Sequence, residues 1–215
     1  MLSDHILFVD GDTVVIDKPA GLPVDTPRAG GESIERRLDE LRLGFRRPPT
    51  PMHRLDRDTS GCLLFARNPR SRAQLQQAFE QRRVEKRYLA LVAGEIAAEG
   101  GTIDLPLAKR SSADAGWRMV ADSAGQPAQT RWRRLVERDG RTLVEFMPVT
   151  GRTHQIRVHA REKFGAGIVG DRVYGVPGGP MLLHANRLVV PRDGKPTIDV
   201  TAPLPDHWGE WRDAA

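Results

Sequence analysis

Short apolar blocks with period-two alternation dominate the chain, and polar, proline-rich and glycine-rich stretches separate them. HILFVD and TVVIDKP, split by a Gly-Asp turn, predict two strands. KPAGLPVD then leaves the sheet through a rigid turn. SIERRLDELRL predicts a short amphipathic helix with Ser33 near its start and Ile34, Leu38 and Leu41 on one side. RRPPTPMHRLDRDTSG has no period and predicts an irregular loop, anchored by the strand CLLFA. Asn68 followed by Pro69 reads as an N-cap and first helical position, opening a helix to about Arg82 that turns Leu75 and Phe79 to the core. VEKRYLALVAG returns to a strand pattern, with Val84, Lys86, Tyr88, Ala90 and Val92 on one side.

The second half begins near GTIDLPLAKR. AGWRMVADSAGQPAQTRWRRLVE predicts two strands around a polar turn, and TLVEFMPV predicts another. In GRTHQIRVHAREKFG, Thr153 is expected to cap a helix carrying Ile156, Ala160 and Phe164 at helical spacing. The tail predicts a helix at MLLHANRL and strands around LVVP and TIDVTAPLP. Many short strands with few helices, and no regular βαβ alternation, predict an α+β fold with a mixed, largely antiparallel sheet. The expected organisation is a single catalytic domain over residues 1–215 whose two sequence halves meet at one basic cleft.

Composition narrows the class. Of 215 residues, 39% are hydrophobic and 28% charged, the balance of a globular protein rather than a disordered one. The acidic start of MLSDHILFVDGD is unlike a secretory signal, and no apolar run approaches membrane-spanning length, so a cytoplasmic protein without membrane contact is expected. Cys62, the single cysteine, has no disulfide partner and reads as a small buried hydrophobe. The net charge is +5, but its distribution says more: residues 1–35 carry seven Asp/Glu against Lys18 and Arg28, and residues 36–90 carry fourteen Lys/Arg against six Asp/Glu. A sided, arginine-rich potential suits a polyanion, although genomic composition can also enrich arginine.

Candidate chemistry concentrates in HRLDRDTSG. Asp56 and Asp58 lie beside His53, Arg54 and Arg57, between a proline-rich approach and an apolar strand, an arrangement that can hold an oriented carboxylate. Capping or a structural ion pair is the bland alternative. His154 and His159 are five apart and belong to no HExxH, and no dinucleotide loop, phosphate-binding P-loop or GxSxG elbow is present, so neither metal nor cofactor is expected.

HRLDRDTSG resembles the active-site segment of RluA-type RNA pseudouridine synthases. IDKPAGLPV, VEKRYLALV, and GRTHQIRVHA followed by GIVGDRVYG occur in that family's order, so the resemblance runs from about Val14 to Leu188. FGAG stands before GIVGD where a proline-containing pair is more typical, and no upstream S4-type RNA-binding segment is recognisable. The resemblance implies a cofactor-independent isomerase that converts uridines of transfer or ribosomal RNA to pseudouridine. It implies that Asp56 attacks or deprotonates the nucleoside, that Tyr88 packs on the uracil, and that Arg157 is similar to the arginine paired with the catalytic carboxylate. Arg54 resembles the arginine that fills the place of a flipped nucleotide.

Arg57, Arg67, Arg70, Arg72, Arg82, Arg83, Arg87 and Arg152 are candidate RNA contacts, each of which can equally be a solvated surface charge. Lys18 is a further candidate, as phosphate contact or as support. His53, Thr59, Ser60, Gly61, Thr153 and His154 are expected to support the site. The competing readings are a non-catalytic RNA-binding protein that retains the fold and a nucleoside-directed hydrolase using Asp56 and Asp58 as an acid–base pair. A monomer is expected.

Overall fold

The computed structural model describes residues 1–112 and 116–214. Among them the regular elements run β1 (Ile6–Val9), β2 (Thr13–Lys18), β3 (Thr50–Pro51), β4 (Ser60–Ala66), α1 (Pro69–Glu80), β5 (Glu85–Val92), β6 (Gly100–Asp104), β7 (Leu107–Ser112), β8 (Gly116–Ala121), β9 (Gln129–Arg138), β10 (Arg141–Pro148), α2 (Gln155–Phe164), β11 (Leu183–Arg192) and β12 (Lys195–Thr201). The fold is mixed α+β with mostly antiparallel strand pairing. The chain divides into two compact units, Met1–Lys86 with His184–Leu204, and Arg87–Leu183 with Pro205–Ala215.

In the first unit β4 is the central strand. It pairs antiparallel with β2, from Thr13 opposite Ala66 to Lys18 opposite Gly61, and parallel with β11, His184 opposite Ser60 and Ala185 opposite Gly61. All seven residues of β4 are buried, as expected of a strand covered on both faces. β1 pairs with β2, and β12 with β11. Leu75 and Ala78 of α1 pack on Val15, Cys62, Leu64, Ala66, Leu188, Val190 and Ile198. The Asn68 side chain caps α1 by accepting from the Ser71 amide at 2.9 Å. The helix stops two residues short of the expected Arg82 because Arg82 takes a left-handed φ of 56°, and the amides of Arg82 and Arg83 turn back to the carbonyls of Phe79 and Ala78.

In the second unit β5, β10, β9 and β6 pair antiparallel in that order. Trp132 of β9 meets Phe164 of α2 edge-on, with the ring centroids 4.8 Å apart. β7 and β8 form a separate two-stranded ribbon whose Leu107 packs with Ala128 and Val158 of α2.

Three expectations are corrected. SIERRLDELRL forms a 3-10 segment, Glu35–Leu41, rather than an amphipathic α-helix; a stretch this short takes its shape from its buried anchors Ile34 and Leu41, not from propensity. MLLHANRL is no helix but the start of β11; its apolar run is buried all round, a pattern that periodicity alone cannot assign. The proline-rich loop contains the short strand β3 against β4.

Candidate active site

HRLDRDTSG forms an irregular loop between β3 and β4, and backbone contacts fasten it on several sides. His53 Nε2 accepts the Leu64 amide at 3.1 Å, and the ring lies 5.6 Å from that of Phe79. Burial pushes the His53 imidazole down to about 3, so it is neutral at physiological pH. Leu55, next to Asp56, is 4% exposed and serves as an apolar anchor. The Asp56 carbonyl accepts the Thr59 amide at 3.2 Å, closing a turn around Arg57 and Asp58. Asp56 itself is half-buried.

The KPAG turn holds the other side of this loop. The Arg57 carbonyl accepts both the Gly21 amide at 2.9 Å and Lys18 Nζ at 3.0 Å. Lys18 Nζ also donates to the Pro19 and Leu22 carbonyls at 2.7 and 2.8 Å. The three donors of the ammonium are thereby used and the side chain is fully buried, so Lys18 is not a phosphate contact: it laces the turn to the Asp56 loop. Burial pushes the ammonium down to about 7, against the opposing pull of Asp58, Asp56 and Asp17.

Where the loop enters β4, Ser60 Oγ lies 2.8 Å from His184 Nδ1, and His184 Nε2 lies 3.2 Å from the Ala202 carbonyl. With Nε2 donating to that carbonyl, a neutral ring leaves Nδ1 to accept the Ser60 hydroxyl. Gly61 has φ +106°, and a Cβ there would sit 2.3 Å from the Ala185 oxygen, so the parallel pairing of β4 with β11 admits only glycine. Sequence reasoning missed His184, which lies at the end of the apolar run Met181–Leu183 in a segment that belongs to no catalytic motif.

The candidate RNA contacts separate by burial. Arg67 is corrected as Lys18 is: it is buried, donates to the carbonyls of Asp10, Arg42 and Leu43, and lies 3.7 Å from the centroid of the Phe45 ring. Arg54 is exposed and pairs with exposed Asp25 at 2.8 Å, a weak surface contact that a phosphate can replace. Arg57 pairs with Asp58 at 3.1 Å, and Arg83 with Asp193 at 3.3 Å. Arg70, Arg72 and Arg82 are exposed on or just after α1.

In the second unit Tyr88 is buried on β5 opposite Phe146, and Arg87 lies 4.0 Å from Glu145. Arg157 is buried in α2 and forms a bidentate pair with Asp171, Nε to Oδ2 at 2.7 Å and Nη2 to Oδ1 at 2.8 Å. Burial raises the Asp171 carboxyl, but the Arg157 fork and the amides of Val173 and Tyr174 outweigh it and hold the group below the usual carboxylate range.

Thr153 does not cap α2; the N-cap is His154, in the left-handed region at φ 54° with no side-chain cap. The end is tied instead by Gln155, whose Oε1 accepts the Arg152 amide at 2.9 Å and the Thr150 hydroxyl at 2.7 Å, while Nε2 donates to the Gln129 carbonyl and Thr130 Oγ1. Gln155 sits one residue inside the helix, where no capping rule directs attention. Arg152 is exposed and donates to the Pro127 carbonyl at 3.1 Å. Among the described residues no group of His, Cys, Asp and Glu is arranged to hold a metal ion.

Residues 12–162 match the family profile described as RNA pseudouridylate synthase. The chain belongs to this family. It is therefore an enzyme of the isomerase class, and the order of motifs read from the sequence is that of RluA-type members. It is 49% identical over 209 residues to an uncharacterised RNA pseudouridine synthase of Zymomonas mobilis, covering 95% of each chain. It is 33% identical to the ribosomal large subunit pseudouridine synthase C of Rickettsia bellii, covering 96% of this chain and 70% of that one. The human RNA pseudouridylate synthase domain-containing protein 4 superposes with a TM-score of 0.81 at 27% identity, covering 96% of this chain and 91% of the human one.

Proposed function

We propose that this pseudouridine synthase acts on structured ribosomal or transfer RNA, with Asp56 as the reacting carboxylate and Tyr88 and Arg157 as its partners in the reaction. The fastening of the Asp56 loop supports this reading most. A loop tied through His53, Leu55, Lys18, Gly21 and Ser60 spends far more buried hydrogen bonding than a surface turn requires, and such anchoring is what a reacting group needs to hold its aim. The reaction breaks the bond from ribose C1′ to N1 of uracil and forms one from C1′ to C5. The proton lost from C5 is balanced by one gained at N1, so no cosubstrate is consumed. The target base leaves its stack at a cost of about a few kcal/mol, and Arg54, exposed on the same loop as Asp56, offers a flat cation to fill the vacated place. Large-subunit ribosomal RNA ranks first among substrates because of the name of the Rickettsia relative.

Nucleoside analysis of unmodified ribosomal and transfer RNA transcripts after incubation tests the reading. Wild type is expected to create pseudouridine without added nucleotide or metal, and Asp56→Ala to create none. Equal product from the variant would remove Asp56 from the chemistry.

A further inference from the structure

The β7–β8 ribbon carries a chain of contacts that leads from an exposed indole to Arg157. Trp117, on β8, is 48% exposed, yet one of its neighbours is the His154 ring, stacked at 5.2 Å with the planes 19° apart. His154 Nδ1 lies 2.9 Å from the Tyr174 hydroxyl, which also accepts the Met119 amide of β8 at 2.9 Å. The phenol thereby shares one hydrogen bond with the His154 ring and fastens the ribbon through its backbone. The Arg157 guanidinium lies 5.0 Å from the Tyr174 ring centroid, and Asp171 Oδ1 binds both Arg157 Nη2 and the Tyr174 amide. His154 holds a left-handed φ of 54°, an uncommon conformation for a non-glycine residue, at the start of α2.

The ribbon itself is cationic. Lys109 Nζ lies 4.8 Å from the Trp117 ring centroid, and Arg110 stands directly opposite Arg118 across the strands, a like-charge pairing that costs stability unless an anion lies against it. Asp122 neutralises Arg110 in part. An exposed indole flanked by cations matches a stacked base with its phosphates better than it matches a protein surface.

We propose that Tyr174 and His154 are positioning residues that set the Arg157 guanidinium according to where the β7–β8 ribbon lies, and that RNA stacked on Trp117 fixes the ribbon. The inference rests on the proposed role of Arg157. It gives the GDRVYG segment a part in the reaction.

Single-turnover pseudouridine formation and RNA affinity, measured on the same unmodified large-subunit ribosomal RNA transcript for wild type, Trp117→Ala, Tyr174→Phe and the double variant, test it. Tyr174→Phe keeps the ring beside Arg157 and removes the hydroxyl. The expected result, at a temperature where the variant stays folded, is a saturating rate lowered on the order of tenfold, with affinity retained and only a small drop in melting temperature from the lost Met119 amide bond. Trp117→Ala is expected to weaken affinity on the order of tenfold, and Trp117→Phe to restore it. Its effect on the saturating rate should vanish in the Tyr174→Phe background, because one path carries both. A Tyr174→Phe enzyme with the wild-type rate, a rate loss that tracks a lowered melting temperature, or rate effects that multiply independently would overturn the coupling and leave the isomerase reading intact. Wild type that binds the RNA but forms no pseudouridine would overturn both.

Discussion

His53, Lys18 and Gly61 act at the scale of single side chains, each by a different physical term. His53 is half-buried with its Nδ1 shielded from water, and is neutral in the fold, with a folded pKa of about 3 against roughly 6.5 when unfolded. The unfolded chain binds the extra proton, so stability is full above about pH 6.5 and falls progressively as pH drops toward 3. At pH 5 the loss is roughly 2 kcal/mol. Denaturant titrations between pH 7 and 4.5 should show this decline, and His53→Gln, which can still accept the Leu64 amide, should flatten it; an unchanged slope in the variant would assign the decline to other groups. Lys18→Met should lower stability by about 3 kcal/mol, since three buried carbonyls lose their donor, and should slow the reaction by loosening the Asp56 loop. Retention of both stability and rate would show that the lacing is dispensable. Gly61→Ala should be worse still for folding, on the order of 3 kcal/mol or more, because backbone rather than a movable side chain meets the new Cβ.

Element ends decide what periodicity leaves open. The start of α1 was legible because Asn68-Pro69 states a cap and a first helical position in adjacent letters. Its end was not: glycine usually marks the left-handed position, and Arg82 fills it here. Arg82→Gly should therefore raise stability by about 1 kcal/mol, read as a higher denaturant midpoint, whereas Arg82→Ala should not. The start of α2 was misread for the opposite reason. Thr153 has the right chemistry for a cap, but four hydrogen bonds from the Gln155 amide group hold the turn instead. Gln155→Ala is expected to cost about 2 kcal/mol or more and Thr153→Ala almost nothing, a contrast that thermal melts of the two variants would settle. The first part of β11 reads as a helix because a run buried on both faces has no polar side to betray its period, whereas the expected strand around LVVP is its second part.

For the whole molecule, the motif order carried more than local physics did. Asp56 and Asp58 as bare residues left a cap, an ion pair and a hydrolase open; four segments in one order, and a family match over residues 12–162, removed that ambiguity for the class of reaction. Charge bias was a coarser guide. It drew attention to the arginine-rich stretch from residue 36 to 90, yet Arg67 within it proved to be interior scaffolding, as did Lys18 outside it, because formal charge does not record whether a cation's donors are already occupied. What makes the chain an isomerase rather than a hydrolase is the fate of C5. RNA transcripts carrying tritium at C5 of uridine should release it to water when treated with wild type, with no free uracil, and should release none with Asp56→Asn. Free uracil with the tritium retained, or equal release by the variant, would contradict the account.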